Sequence, residues 1–240
     1  MKTEWFERWF GKEYIALYPH RNVAEAEHIV ALIEGLLGGK KVERVLDLAC
    51  GAGRHSGILA NHWWTVGLDL SEVLLELAHR DAIPAEFVRG DMRVLPFADS
   101  AFDLVVNLFT SFGYFADDES HHRVVREVAR VMRGGGTFVL DFLNTTQLRR
   151  TLVPYDEREI AGSIVEQRRE ISGDGRYVIK HICIRGSGQE FTERVRLFDK
   201  DDLSAMMVDA GFHIEAVYGN YDASPVTGDS PRVILFGRRV

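Results

Sequence analysis

Residues 42–55, VERVLDLACGAGRH, constrain this chain more than any other stretch. Val42, Val45, Leu46 and Leu48 form a short run of β-formers and apolar residues that reads as a buried strand. Around Asp47 it gives way to a turn through Cys50, Gly51, Ala52 and Gly53, and then to a helical pattern led by Ile58 and Leu59. Two glycines one residue apart permit a tight turn and leave main-chain atoms open to a ligand. A strand, a Gly-x-Gly turn and a helix make the ligand-facing corner of a doubly wound sheet. Such a turn alone can be purely geometric, so the segments that follow decide its meaning.

A second apolar strand, residues 63–68, is closed by Asp69, eighteen residues beyond Gly51. An acid at that strand end lies across the cleft from the glycine turn. Its two oxygens can accept hydrogen bonds from both hydroxyls of a ribose, which selects an adenosyl-type ligand. The N-cap of the helix that follows falls more naturally to Ser71. A third strand, residues 85–89, leads into Gly90, Asp91 and Met92. Asp91 can accept from an adenine amino group, and Met92 offers a soft apolar surface to the ring. Acids at three successive strand ends, Asp47, Asp69 and Asp91, are a rarer coincidence than two glycines.

The segments DLACGAGRH, GLDLS, GDMRVLPF, FDLVVNLFTSFGYF and VMRGGGTFVLDF, in this order, resemble motifs of class I S-adenosylmethionine-dependent methyltransferases of the small-molecule type. The resemblance covers residues 42–143, with a weaker echo at the C-terminus. It implies an α/β fold, a doubly wound, Rossmann-like sheet of seven mostly parallel strands whose last hairpin strand runs antiparallel. It also implies S-adenosyl-L-methionine as cofactor and S-adenosyl-L-homocysteine as product. The implied cofactor-binding residues are Asp47, Ala49, Gly51, Gly53, Arg54, Asp69, Leu70, Asp91, Met92, Asn107 and Leu108, with Tyr14 and Arg21 from the N-terminal segment. Backbone N–H groups at the helix start, with Arg54, could receive the methionyl carboxylate. In families of this type the backbone near Asn107 and Leu108 commonly holds the methionyl amino group. The segment before the first strand often closes over the pocket, making Tyr14, Tyr18 and Arg21 lid candidates. Arg21 reads equally as a partner of that carboxylate and as a solvated arginine.

After a fourth strand, residues 102–106, Phe109, Phe112, Tyr114 and Phe115 promise a dry aromatic wall at the carboxyl edge of the sheet. This segment departs from the Asn/Asp-Pro-Pro-aromatic signature of enzymes that methylate nucleobase amino groups. It resembles small-molecule methyltransferases instead, including those acting on amino sugars and small amines. The expected activity is methyl transfer to nitrogen or oxygen of a small-molecule acceptor, ahead of carbon. The competing readings are an RNA methyltransferase, a non-catalytic S-adenosylmethionine-binding module and a nicotinamide-dependent dehydrogenase, the last leaving Asp91 and the aromatic loop without a role. Candidate general bases are Tyr14, His55, His181 and Asp222, with His55 read also as a packed or capping histidine. His121 and His122 are adjacent, point apart and read as surface or pocket-edge residues; no metal site is expected.

The chain reads as a single domain over 1–240: N-terminal helices and lid at 1–40, a cofactor-binding core at 41–147, an antiparallel β insertion at 148–197, and a C-terminal helix and strand pair at 198–240. A break at Gly11 divides the aromatic N-terminal pattern, and Asn22 is placed to cap a helix that Gly38 and Gly39 end. Asp118 or Ser120 is placed to start the helix after the aromatic loop. Gly134, Gly135 and Gly136 form the turn into a fifth strand, residues 137–142. In the insertion, strands at 160–171, 177–184 and 191–197 are separated by Gly173-Asp174-Gly175 and Gly186-Ser187-Gly188, which signal hairpins. The insertion is expected either to cover the acceptor pocket or to pair subunits in a homodimer. Asp199 caps the last helix, and a polar loop before the final strand offers Tyr218, Tyr221, Asp222 and Arg232 as acceptor contacts or as plain loop chemistry.

A net charge of −7 removes any global attraction to nucleic acid or an anionic membrane. Two cysteines give no disulfide framework, and no apolar run approaches spanning length, so a cytoplasmic protein without membrane partners is expected.

Overall fold

The computed structural model describes residues 4–18, 23–160 and 162–240. Two short helices, α1 (Trp5–Trp9) and α2 (Lys12–Leu17), break at Gly11 and precede α3 (Val23–Leu37), whose end falls at Gly38 and Gly39, both at positive φ. The proposed cap Asn22 lies outside the described residues, as does Arg21. Then come β1 (Arg44–Leu48), α4 (Arg54–Leu59), β2 (Trp64–Asp69), α5 (Glu72–Arg80), β3 (Glu86–Arg89), β4 (Phe102–Asn107), α6 (Asp118–Val131) and β5 (Met132–Leu143). The insertion follows as α7 (Thr145–Thr151) and strands β6 (Tyr155–Ile160), β7 (Ser163–Ile171), β8 (Tyr177–Ile184) and β9 (Gln189–Arg196). The chain closes with α8 (Lys200–Asp209), β10 (Phe212–Tyr218) and β11 (Arg232–Arg239).

Seven strands form one sheet in the order β10-β11-β5-β4-β1-β2-β3, and β11 alone runs antiparallel to both of its neighbours. Strand alternation explains why both faces are dry. Val45, Leu104, Val106, Val139 and Ile234 point to the side where Ile29, Val30 and Ile33 of α3 pack. Leu46, Val105, Phe138, Leu140 and Leu235 point to the other, against Val124, Val125 and Val128 of α6 and Met206 and Met207 of α8. The second sheet, β6-β7-β8-β9, is antiparallel throughout. A third apolar cluster joins Trp9, Tyr14 and Leu17 of the N-terminal helices to Leu74 of α5 and to Val165 and Ile182 of the insertion.

The insertion has four strands where the sequence suggests three. The continuous β-forming run over 160–171 conceals a turn at Gly162, and β6 ahead of it is an edge strand whose Asp156, Glu157, Arg158 and Glu159 resemble a loop in composition. The three glycines of residues 134–136 fall inside β5: Phe102 pairs Met132 and Leu104 pairs Thr137, so they form a bulge. A Cβ on Gly136 would stand 2.8 Å from the Asp103 carbonyl oxygen, which accounts for that glycine. Asp117, rather than Asp118 or Ser120, caps α6 by accepting from the Ser120 N–H. His121 is fully buried against Phe112, Phe115 and Phe198, correcting its reading as a surface or pocket-edge residue. Among the described residues no helix is long and apolar enough to cross a membrane.

Candidate functional site

A cleft of about 1430 Å³ opens over the carboxyl ends of β1, β2 and β4 and runs beneath α1 and α2. Its floor is the turn after β1, where Ala49, Gly51 and Gly53 all take left-handed backbone, at φ 60°, 58° and 79°. Gly51 N–H donates to Asp69 Oδ2 at 2.8 Å, and Ser71 N–H donates to Asp69 Oδ1 at 2.8 Å. The main chain thus fixes the Asp69 carboxylate while each oxygen retains a further lone pair. Burial raises the Asp69 carboxyl above its ordinary range, and these main-chain donors hold it back. Ser71 also caps α5, accepting from Leu74 N–H at 3.2 Å, and its hydroxyl donates to the Phe10 carbonyl at 2.5 Å. One serine therefore joins the helix after β2 to the segment covering the cleft.

The two glycines of the turn do different work. A Cβ on Gly51 would meet only Leu74, at 3.9 Å, whereas one on Gly53 would lie 2.8 Å from Phe87 and 3.4 Å from Ala78. Gly51 lines the cleft; Gly53 lets α4 sit close to α5 and β3.

Ala49, Leu70, Asp91, Met92, Leu108 and Arg54 all line the cleft. Asp91 is engaged by Arg93, whose Nε donates at 3.0 Å and Nη2 at 2.6 Å. Burial raises the Asp91 carboxyl, but the Arg93 hydrogen bonds outweigh it and leave the group below its ordinary value. Arg93 lies 4.6 Å over the Phe115 ring, while Arg54 pairs with Glu25 at 3.6 Å and lies 5.0 Å over Phe109.

Other expected site residues face elsewhere. Asp47 is 1 % exposed beneath the turn and accepts from the Ser56 hydroxyl at 2.6 Å. Asn107 is buried, and its amide donates to the Leu48 carbonyl at 2.9 Å, tying β4 to β1. Phe112 belongs to the core behind the loop, which leaves Phe109, Tyr114 and Phe115 as the aromatic wall. Of the candidate bases, Tyr14 and His55 line the cleft; His181 stands exposed on the insertion and Asp222 exposed in the final loop, so neither reaches it. Tyr218 packs on Phe236.

Three features had no sequence signal. The Trp9 indole donates to Glu193 Oε1 at 2.7 Å, and Lys180 Nζ meets Glu193 Oε2 at 2.6 Å and the Tyr18 hydroxyl at 2.7 Å, pinning the N-terminal helices to the insertion. Trp5 Nε1 donates to the Tyr114 carbonyl at 3.1 Å, pinning them also to the aromatic loop. In that loop Phe109 and Thr110 are consecutive non-glycine residues in left-handed backbone, at φ 59° and 60°, which costs about 1–2 kcal/mol per residue. Two acceptors on Asp141 meet them: its Oδ2 receives Phe109 N–H at 2.9 Å and its carbonyl receives Thr110 N–H at 3.0 Å. The position of Asp141 at the end of the fifth strand is legible in the sequence, but its partners are not.

Comparison with known proteins places a methyltransferase domain over residues 45–136. The demethylmenaquinone methyltransferase of Thermotoga maritima is 40 % identical over 101 residues, which cover 41 % of this chain and 42 % of that protein. The chain spans about half the length, or less, of the first curated relatives it matches. A longer but weaker likeness, 27 % over 210 residues, covers 82 % of this chain and 81 % of the dTDP-4-amino-2,3,4,6-tetradeoxy-D-glucose N,N-dimethyltransferase of Saccharopolyspora spinosa. Among solved structures, the sugar N-methyltransferase KedS8 from a Streptoalloteichus species superimposes with a TM-score of 0.72 at 26 % identity, over 95 % of this chain and 93 % of that one.

Proposed function

We propose that the chain, which carries a methyltransferase domain over residues 45–136, is a class I S-adenosylmethionine-dependent methyltransferase that transfers the methyl group of S-adenosylmethionine to nitrogen or oxygen of a small-molecule acceptor. The observation that carries this reading is the main-chain anchoring of Asp69 opposite Gly51 on the wall of the cleft. The residues suit that cofactor. Asp69 keeps a lone pair on each oxygen for the two ribose hydroxyls, and Leu70 and Met92 offer apolar contact to a base. Asp91 keeps acceptor capacity for an amino group beside its Arg93 partner. Arg54 and the opening N–H groups of α4 favour a carboxylate. A volume of about 1430 Å³ exceeds the ~300–1,000 Å³ of a usual single-ligand pocket, which leaves room for an acceptor beside the cofactor.

When bound, S-adenosylmethionine supplies an electrophilic methyl group on a sulfonium. The chain's own contribution is alignment and exclusion of water by Phe109, Tyr114 and Phe115 from one side and Phe6, Phe10 and Tyr14 from the other. Tyr14 and His55 are the two residues offered as a general base for an acceptor that must lose a proton. The chemistry named for the relatives, amino sugars and quinones, sets the first acceptors to try.

The test is calorimetric titration with S-adenosylmethionine and with a nicotinamide dinucleotide. It is followed by labelled-methyl transfer to a panel of amino sugars, small amines, quinols and carboxylic acids, with mass spectrometry to locate the methyl group. Saturable sulfonium binding and a methylated product are expected. Binding with no transfer to any acceptor would leave a binding module, and nicotinamide binding alone would overturn the assignment.

A further inference from the structure

The backbone at Phe109 and Thr110 is held where side chains crowd the neighbouring carbonyl, directly after β4 and on the cleft wall. Two such residues in succession persist only where the surroundings over-determine them. The Thr110 hydroxyl adds to the difficulty, being buried without a partner among the described residues.

The over-determination comes from the neighbouring strand β5 and from β11 beyond it. Asp141, fully buried on β5, accepts both strained amides, one on its side chain and one on its carbonyl. It is held in turn by the Tyr221 hydroxyl, which donates to Oδ2 at 2.9 Å, and by Arg232 on β11, whose Nε donates to Oδ1 at 2.7 Å and Nη2 to the Asp141 carbonyl at 3.3 Å. Arg232 also stands 5.3 Å over the Phe109 ring. A buried ion pair that merely joined β5 to β11 would not need these acceptors to converge on adjacent amides of another loop.

We propose that Asp141, Arg232 and Tyr221 are positioning residues that set the 108–114 loop for methyl transfer. This rests on the transferase reading, because the loop's Leu108, Phe109, Ser111 and Tyr114 line the cleft assigned to donor and acceptor. None of the three clamp residues lines that cleft, so they act through the loop. In-line displacement makes such action consequential, since a misplacement of about 1 Å can lower the rate about 100-fold.

Asp141→Asn keeps the volume but has one acceptor oxygen, so it cannot serve both the Phe109 amide and Arg232; Tyr221→Phe removes one donor and keeps the ring. The experiment reads amide exchange at residues 109 and 110, affinity for S-adenosylmethionine, and kcat and KM on the acceptor found by the panel. Faster exchange at those two amides is expected in Asp141→Asn, with β1 and β4 unchanged. Cofactor affinity and acceptor KM should stay within about threefold, while kcat falls about 100-fold in Asp141→Asn and about tenfold in Tyr221→Phe. Unchanged exchange, or faster exchange with kcat within about twofold of wild type, overturns the proposal. Should Asp141→Asn fail to fold, Tyr221→Phe decides on the same readouts. A wild-type protein that binds no sulfonium donor defeats the transferase reading alone, and the exchange measurement still rules on whether the clamp holds the loop.

Discussion

Single side chains near the cleft divide into those that face it and those that hold the facing ones in place. Asp69 does both, since its oxygens tie the Gly51 turn to the start of α5 before any ligand arrives. Asp69→Ala should therefore weaken S-adenosylmethionine binding about 100-fold, the scale of two lost charge-assisted hydrogen bonds at about 1.5 kcal/mol each. Calorimetry checks this, and unchanged affinity would place the donor elsewhere. Two buried residues make opposite contributions to stability. Burial raises Asp47 from 3.8 to about 6, against the hydrogen bond from Ser56. Across that window the folded chain keeps a proton that the unfolded chain has lost, so this contribution falls as pH rises. Burial lowers His121 from 6.5 to about 4. There the unfolded chain holds the extra proton, and stability rises with pH over nearly the same range. Relative to wild type, His121→Gln should lose urea stability from about pH 4 to 6, and Asp47→Asn should gain it, because each leaves the other slope unopposed. Parallel profiles for all three proteins would refute this. In the sequence Asp47, Asp69 and Asp91 read alike as strand-end acids; that Asp47 lies buried under the turn on Ser56 while Asp69 and Asp91 line the cleft depends on neighbours that only the fold supplies.

Elements were legible where hydrophobic alternation stopped at a turn residue. The helix α5 with its Ser71 cap emerges directly from the sequence, as do the last two strands and the Asp199 cap, to which the structure adds the reciprocal bond from the Asp199 N–H to the Asp202 carboxylate. β6 did not, because an edge strand with four charges in succession carries no apolar period to detect. The Gly-x-Gly turn was legible as a unit, though the separate tasks of its glycines needed neighbours that only the fold supplies. Gly51→Ala adds a side chain in left-handed backbone and should cost about 1 kcal/mol. Gly53→Ala adds the same strain and a clash with Phe87, so about 2–4 kcal/mol is expected. Thermal melting of both variants checks the order, and equal melting temperatures would show that α4 shifts freely against β3.

At the scale of the molecule, the seven-stranded sheet under the cleft and the four-stranded sheet of the insertion are separate sheets, joined by the N-terminal helices and by direct bonds such as Arg196 N–H to the Gly113 carbonyl at 2.7 Å and Arg196 to Asp118 at 3.1 Å. The insertion sheet has edges at β6 and β9; α1 packs beside β9, and the exposed charges of β6 discourage strand-to-strand pairing there. A homodimer built on that edge is therefore disfavoured. Light scattering of the intact chain should give a mass near 27.2 kDa, and twice that value would bring subunit pairing back. The Trp9 indole, 1 % exposed, finds its acceptor on Glu193 of the insertion, 184 residues away in sequence. A chimera that replaced the four-stranded sheet with one from another protein would orphan that indole and loosen the N-terminal helices over the cleft. Grafts that carry a carboxylate at the position of Glu193 should bind S-adenosylmethionine as tightly as the parent, and grafts that omit it should bind more weakly, with Ser71 on Phe10 and Trp5 on Tyr114 left as the remaining ties.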